Sequence, residues 1–255
     1  MSASPVVTSY QWGYVALSYA FAVLGSLVAL SAAARIRQRN GTLHWGNTFA
    51  AGLALGGIGV WSMHFIGMLA LRMDVGSSYA MGETAVSLVA AVLASSLALA
   101  FVARAPEQVV RVLGAGFLLG MGVVVMHYLG MHGMRIPGYI RWDAALIGAS
   151  AVIAVVAATA ALWLAFNTRG LAARSAAALL MGVAVCAMHY TGMSAAEFIC
   201  TSADRGIAPK GPGLVNLAFL PNIVTFWAMS SAALIVVYQL YQATAEDWDA
   251  EPARA

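Results

Sequence analysis

Seven apolar runs, at about 13–34, 47–70, 84–103, 112–131, 144–166, 176–194 and 222–241, constrain this chain more than any other feature of its sequence. Each is close to the ~20 residues that a helix needs to cross the hydrocarbon core of a bilayer. Runs of that length without strand-like alternation are read as helices, which satisfy their own backbone groups inside lipid. Hydrophobic residues make up 62% of the 255 positions and charged residues only 9%, against about 25% charge in soluble domains. A soluble globular fold is excluded. Seven crossings take up about 140 residues, and the remaining loops are too short for a second domain of roughly 50 residues. The expectation is an all-α membrane protein, a seven-transmembrane-helix bundle forming one domain over 1–245. A short acidic cytoplasmic tail, 246–255, carries Glu246, Asp247, Asp249 and Glu251.

The charges lie between the runs. Arg35, Arg37, Arg39, Arg104, Arg111, Arg169 and Arg174 fall in one set of loops, opposed there by Glu107 alone. The other set holds Arg72, Arg135, Arg141, Arg205 and Lys210, balanced by Asp74, Glu83, Asp143, Glu197 and Asp204. Cytoplasmic loops carry the Lys/Arg excess, which places the N-terminus outside and the C-terminus in the cytoplasm. No basic residue precedes Trp12, so the first run reads as a retained helix and not a secretory signal. A net charge of +3 with scattered bases gives no nucleic-acid groove. Two cysteines, Cys186 and Cys200, make neither a disulfide framework nor a C-x-x-C pair. The last outer loop, about 195–221, holds Gly211, Pro212, Gly213 and Pro221 and reads as a non-helical cover.

Three segments align without gaps: GIGVWSMHFIGM (57–68), GMGVVVMHYLGM (120–131) and GVAVCAMHYTGM (182–193). One repeat is two helices and an Arg-bearing loop, so the chain is three two-helix repeats plus one extra helix. An even number of crossings separates the motifs, and all three reach the same depth near the outer face. On a helix, residues four apart share a face. His64 with Met68, His127 with Met131 and His189 with Met193 therefore point together, and glycines at both ends of the motif let helices approach closely. Packed about a pseudo-threefold axis, the three helices bring three His-Met pairs into one site. Imidazole and thioether suit copper, above all Cu(I), whereas structural zinc sites favour thiolates. Met63, Met126 and Met188, just before each histidine, point about 100° away and serve either a second ion or packing. One such pair would be core filler; three in register read as a metal site.

Met188-His189-Tyr190-Thr191 spells the signature of the MHYT family of bacterial integral-membrane sensory domains, with Met126-His127-Tyr128-Leu129 and Met63-His64-Phe65-Ile66 as imperfect copies. The sequence resembles that family over nearly its whole length. The resemblance implies a copper site of one or two ions and the sensing of O2, CO, NO or redox state in the bacterial cytoplasmic (inner) membrane. It also implies that Tyr128 and Tyr190 could donate hydrogen bonds to a bound diatomic, while Phe65 breaks the symmetry of that role. In such proteins cyclic-dinucleotide or kinase domains often follow the membrane part. A cytoplasmic partner, or an output domain beyond Ala255, is expected to receive the signal, and a homo-oligomer is left open.

Other candidates carry bland alternatives. Cys186 is a thiol ligand unique to the third repeat or a buried small residue, and Cys200 is a loop thiol. His132 guides metal at the rim or is merely solvated there; His44 falls at the opposite edge. Glu197, more than Asp74 or Asp143, either supports an imidazole or is a loop charge. Trp12, Trp45, Trp142 and Tyr139 read as interfacial aromatics. Two competing functions are copper uptake or storage and a zinc-dependent membrane hydrolase. No acid lies in the motif helices at the histidine level, so an enzyme is not expected.

Overall fold

The computed structural model describes residues 3–38, 40–216 and 219–250, with 245–250 as backbone alone. All seven runs are helices: α1 (Trp12–Ala33), α2 (Trp45–Ala70), α3 (Met81–Ala103), α4 (Val109–Gly133), α5 (Ala144–Asn167), α6 (Leu171–Ser194) and α7 (Leu220–Ala250). Most begin slightly before the apolar run, and two starts carry a side-chain cap. Asp143 accepts hydrogen bonds from the backbone N–H of Ala145 and Leu146, and His44 Nδ1 accepts one from Asn47. Of the acidic tail, 246–250 continue α7 as backbone and 251–255 lie outside the described residues.

In space α1 to α6 form a ring that closes where α1 packs on α6, while α7 lies outside it against α2 and α1. The motif helices α2, α4 and α6 also touch one another. Close approaches use glycine: a Cβ on Gly25 of α1 would fall 2.1 Å from the Gly59 nitrogen of α2, and one on Gly120 of α4 would fall 2.6 Å from Val155 Cα of α5. Without a side chain at those points the backbones meet, which dispersion rewards in lipid where burial alone does not.

The gapless alignment of the motifs fails below the first histidine. Gly116 meets Thr159 and Gly120 meets Val155, whereas the corresponding contacts in α2 are Gly52 with Ser96 and Gly56 with Ala91. Gly120 stands seven residues before His127, but Gly56 stands eight before His64. The extra residue is absorbed by a π-helical stretch, Leu53–Ser62, in the middle of α2. Ser62 Oγ donates to the Gly57 carbonyl there. Gly57, aligned by sequence with Gly120 and Gly182, therefore turns away from α3 and receives the Trp227 ring of α7.

The loops at the motif end are knitted into a cap. It contains β1 (Ser4–Pro5), β2 (Thr8–Tyr10), β3 (Leu71–Met73), β4 (Ser78–Ala80), β5 (Met134–Arg135), β6 (Gly138–Trp142), β7 (Ala196–Cys200) and β8 (Leu214–Asn216). These pair antiparallel as β1-β7-β6, β2-β3 and β5-β4-β8. The 195–221 segment is thus partly strand, and the other loops at that end contribute strands that the apolar pattern does not announce. Ion pairs Arg135–Glu83, Arg141–Glu197 and Arg205–Asp74 brace the cap.

Candidate metal centre

The ends of α2, α4 and α6 bring His64, His127 and His189 together, all fully buried. Nδ1 of His64 lies 3.2 Å from Nδ1 of His189 and 3.1 Å from Nδ1 of His127. The ring centroids are 4.8, 5.1 and 5.2 Å apart and meet edge to face. Metal–nitrogen bonds of roughly 2.0–2.1 Å at a tetrahedral angle hold two ligand nitrogens about 3.3 Å apart, close to the spacing found. Each ring nitrogen presents either an N–H or a lone pair. A proton bridges His64 Nδ1 to one partner at a time, whereas a cation takes a lone pair from each of the three rings, whose ligand atoms all lie within 4.8 Å of one another. The donor set fits a metal ion.

The glycine three residues after each histidine supplies a seat for a neighbouring imidazole. A Cβ on Gly67 would lie 2.4 Å from Nε2 of His189, one on Gly130 2.4 Å from Nε2 of His64, and one on Gly192 2.4 Å from Nε2 of His127. Each helix thus carries one ring and seats the ring of another. No contact to the three Nε2 atoms reaches ordinary hydrogen-bond geometry; the backbones of Gly192 and Gly67 are the polar neighbours of His127 and His189 there.

The residue after each histidine packs edge to face on it: Phe65 on His64, Tyr128 on His127 and Tyr190 on His189, at 4.7–4.8 Å between centroids. Tyr190 shares a hydrogen bond of 2.9 Å with Ser18 of α1, and Tyr128 one of 2.8 Å with Ser150 of α5. Phe65 has no hydroxyl, and in its repeat Trp61 Nε1 donates to Ser87 of α3 at 3.0 Å. Three buried serines therefore tie the odd helices to the motif helices. From the cap, Tyr10, Trp142 and Tyr79 cover Tyr190, Tyr128 and Phe65 in turn. Burial raises the phenol pKa of Tyr79 and of Tyr10 above the usual value. Sequence reading missed these serines and both cap tyrosines. Their only signal was the recurrence of Ser87 and Ser150 at the same 63-residue spacing as His64 and His127.

All six motif methionines are buried. Met131 lines a cap pocket with Met134 and Tyr139, and Met188 lines a small cavity below the triad. The convergence belongs to the three imidazoles. Cys186 lies on the Ser18 side of Tyr190, and Cys200 is a free thiol buried in β7; neither joins the triad among the described residues. Glu197 pairs with Arg141 on the cap sheet and Asp74 with Arg205, so neither supports an imidazole. Asp143 caps α5. His132 is exposed at the rim, and His44 caps α2 at the far end beside Gln242. Trp12, Trp45 and Tyr139 are exposed, as interfacial aromatics are.

The family model described as MHYT, bacterial signalling protein N terminal repeat, matches residues 57–115 and 120–178. The chain is 40% identical over 244 residues to the Pseudomonas aeruginosa bifunctional diguanylate cyclase/cyclic di-GMP phosphodiesterase MucR, covering 91% of this chain and 34% of that protein. It is 34% identical over 200 residues to the cyclic di-GMP phosphodiesterase NbdA of the same organism, covering 73% of this chain and 24% of that one. The signaling protein YkoW of Bacillus subtilis is 28% identical over 212 residues, 80% of this chain and 25% of the relative. The chain spans about a quarter to a third of the length of these relatives. No solved structure matches it.

Proposed function

The chain belongs to the MHYT family, and from that premise we propose that residues 1–245 are a membrane sensor whose triad holds copper and reports a diatomic ligand or redox state. The observation that carries this reading is the convergence of three fully buried imidazoles whose ligand atoms lie within 4.8 Å of one another, with His64 Nδ1 within 3.2 Å of both others. His64, His127 and His189 hold the ion. Met68, Met131 and Met193 are its proposed thioether ligands, and Met63, Met126 and Met188 serve either a second ion or packing, as Met188 does where it lines the small cavity below the triad. Copper supplies the affinity for O2, CO or NO. The chain excludes water from the site, fixes each imidazole between a glycine and an aromatic ring, and orients Tyr128 and Tyr190 beside it. In this reading those two hydroxyls leave Ser150 and Ser18 when they donate to a bound diatomic.

The positive-inside bias supports an outer-face cap, an external N-terminus and a cytoplasmic end of α7 in the inner membrane. The relatives named for cyclic di-GMP chemistry support a cytoplasmic output domain or partner as the receiver. A route for that signal is offered by rings in edge-to-face or tilted contact, from His64 to Phe65, Trp61 and Trp227 of α7.

The test is anaerobic metal quantification of purified chain loaded with Cu(I), followed by CO and NO titration with infrared detection. Wild type is expected to retain copper and show a bound-CO band. The triple variant His64→Ala/His127→Ala/His189→Ala, checked for helicity, is expected to lose both. Tyr128→Phe and Tyr190→Phe are expected to keep the metal and shift the band. A folded triple variant that matches wild type in copper and CO overturns the metal reading.

A further inference from the structure

Directly below the triad lies a cavity that takes no part in holding the ion. Val60, Val123 and Val185 line it, each one helical turn before a motif histidine and each at the same place in its repeat. Alanines of α5, among them Ala157 and Ala158, form one wall, with Ala184, Met181 and Met188 of α6 beside them. Its volume is about 40 Å³, and no polar side chain faces it. A water molecule takes a share of about 30 Å³ in the liquid and needs two or more polar partners, so an apolar space of this size stays dry. Half-buried Ala157 and Ala184 belong to the wall, so that on this side only small side chains separate the partly enclosed space from the lipid-facing surface of the bundle. The pocket beneath the cap has the opposite chemistry, with His132 and Arg135 among its residues.

We infer that the cavity is a binding and approach site for a small, uncharged, apolar molecule of the diatomic class, which reaches the triad from the lipid and not through the cap. This rests on the sensing function proposed above. The space admits one molecule of about two heavy atoms. A hydrated ion would lose its water there with no charged or hydrogen-bonding side chain to replace it. The alanines of α5 keep the outer wall low, where leucines would fill it.

Two measurements test this on the full chain in lipid nanodiscs. First, xenon is expected to occupy the cavity of wild type, read by its NMR shift, and to lose that site in Ala158→Leu and in Ala157→Leu. Second, with Cu(I) loaded, CO rebinding after a light flash is expected to slow about tenfold in both variants while copper content stays at the wild-type level. Two leucine positions guard against a single misfolded variant. Wild-type rates in both variants, with copper retained and xenon displaced, would overturn the inference and leave the sensing function standing. A copper-loaded wild type that shows no CO, O2 or NO complex overturns both, and the missing spectrum identifies that case. Absence of xenon from wild type overturns the cavity site by itself.

Discussion

At the scale of single residues, the site depends on three missing side chains as much as on three imidazoles. Gly67, Gly130 and Gly192 leave room that a methyl group would take, since a Cβ at each falls 2.4 Å from a neighbour's Nε2. A ring held that tightly cannot yield without dragging its Nδ1 off the triad. Gly130→Ala is therefore expected to cost about 1–3 kcal/mol, the range for overpacking a filled interior, and to reduce copper retention. Gly114→Ala, on the same helix with nothing within 4 Å of the added atom, is expected to leave both unchanged. Thermal melting and metal content of the two variants decide the matter. The histidines and their shared depth were legible in the sequence because i, i+4 spacing and repetition fix a helix face. Which nitrogen faces inward, and whose glycine seats which ring, were not. Those depend on the order of the helices in space, which spacing along one helix does not encode.

At the scale of the element, α2 differs from its two counterparts by one inserted residue, and the difference is confined to Leu53–Ser62. Around the motif itself the three copies match without a gap, so nothing local betrays the insertion. It shows only in the contacts of Gly52 and Gly56 with α3, displaced by one from those of Gly116 and Gly120 with α5. Deletion of Gly57 is expected to return this stretch to ordinary i→i+4 bonding while His64 keeps its place, because removing the surplus residue restores the α4 spacing. Copper retention should then remain near wild type. Trp227 should lose its seat on Gly57 and become more accessible, read by tryptophan fluorescence quenching. Loss of copper in a folded deletion variant would show that the wide turn is needed to deliver His64.

At the scale of the molecule, the cap joins segments far apart in sequence. Arg205 Nη2 donates to both Asp74 carboxylate oxygens and to the Pro5 carbonyl, its Nη1 donates to Ser4, and the Val7 N–H donates to Asp74. The hydrogen bond from Arg205, ahead of the one from Val7, holds the Asp74 carboxyl below its ordinary value near 3.8. A pKa depressed by folding contributes stability in full above the unfolded value and loses it as pH falls through the folded one. Melting temperature is expected to drop from about pH 4 downward, and Asp74→Asn should lack that part of the slope. A variant that retains the full acid dependence would place its origin elsewhere. The helices of this whole were readable from their apolar runs. The cap was not, because strands of two to five residues carry too little pattern to announce themselves, and their pairing is set by which loops the bundle brings side by side. The ring has one more consequence, and it concerns time. Its closing contact joins α1 to α6, and β1 likewise waits for β7. A ribosome adding about 5–20 residues per second emits α6 on the order of ten seconds after α1. Until then the first helix inserted has α2 on one side but lacks its ring neighbour on the other, and the third imidazole does not yet exist. A metal bound by all three imidazoles would therefore enter only after the sixth helix is in the membrane, and a chain stalled before it is left with an open ring and two of the three histidines.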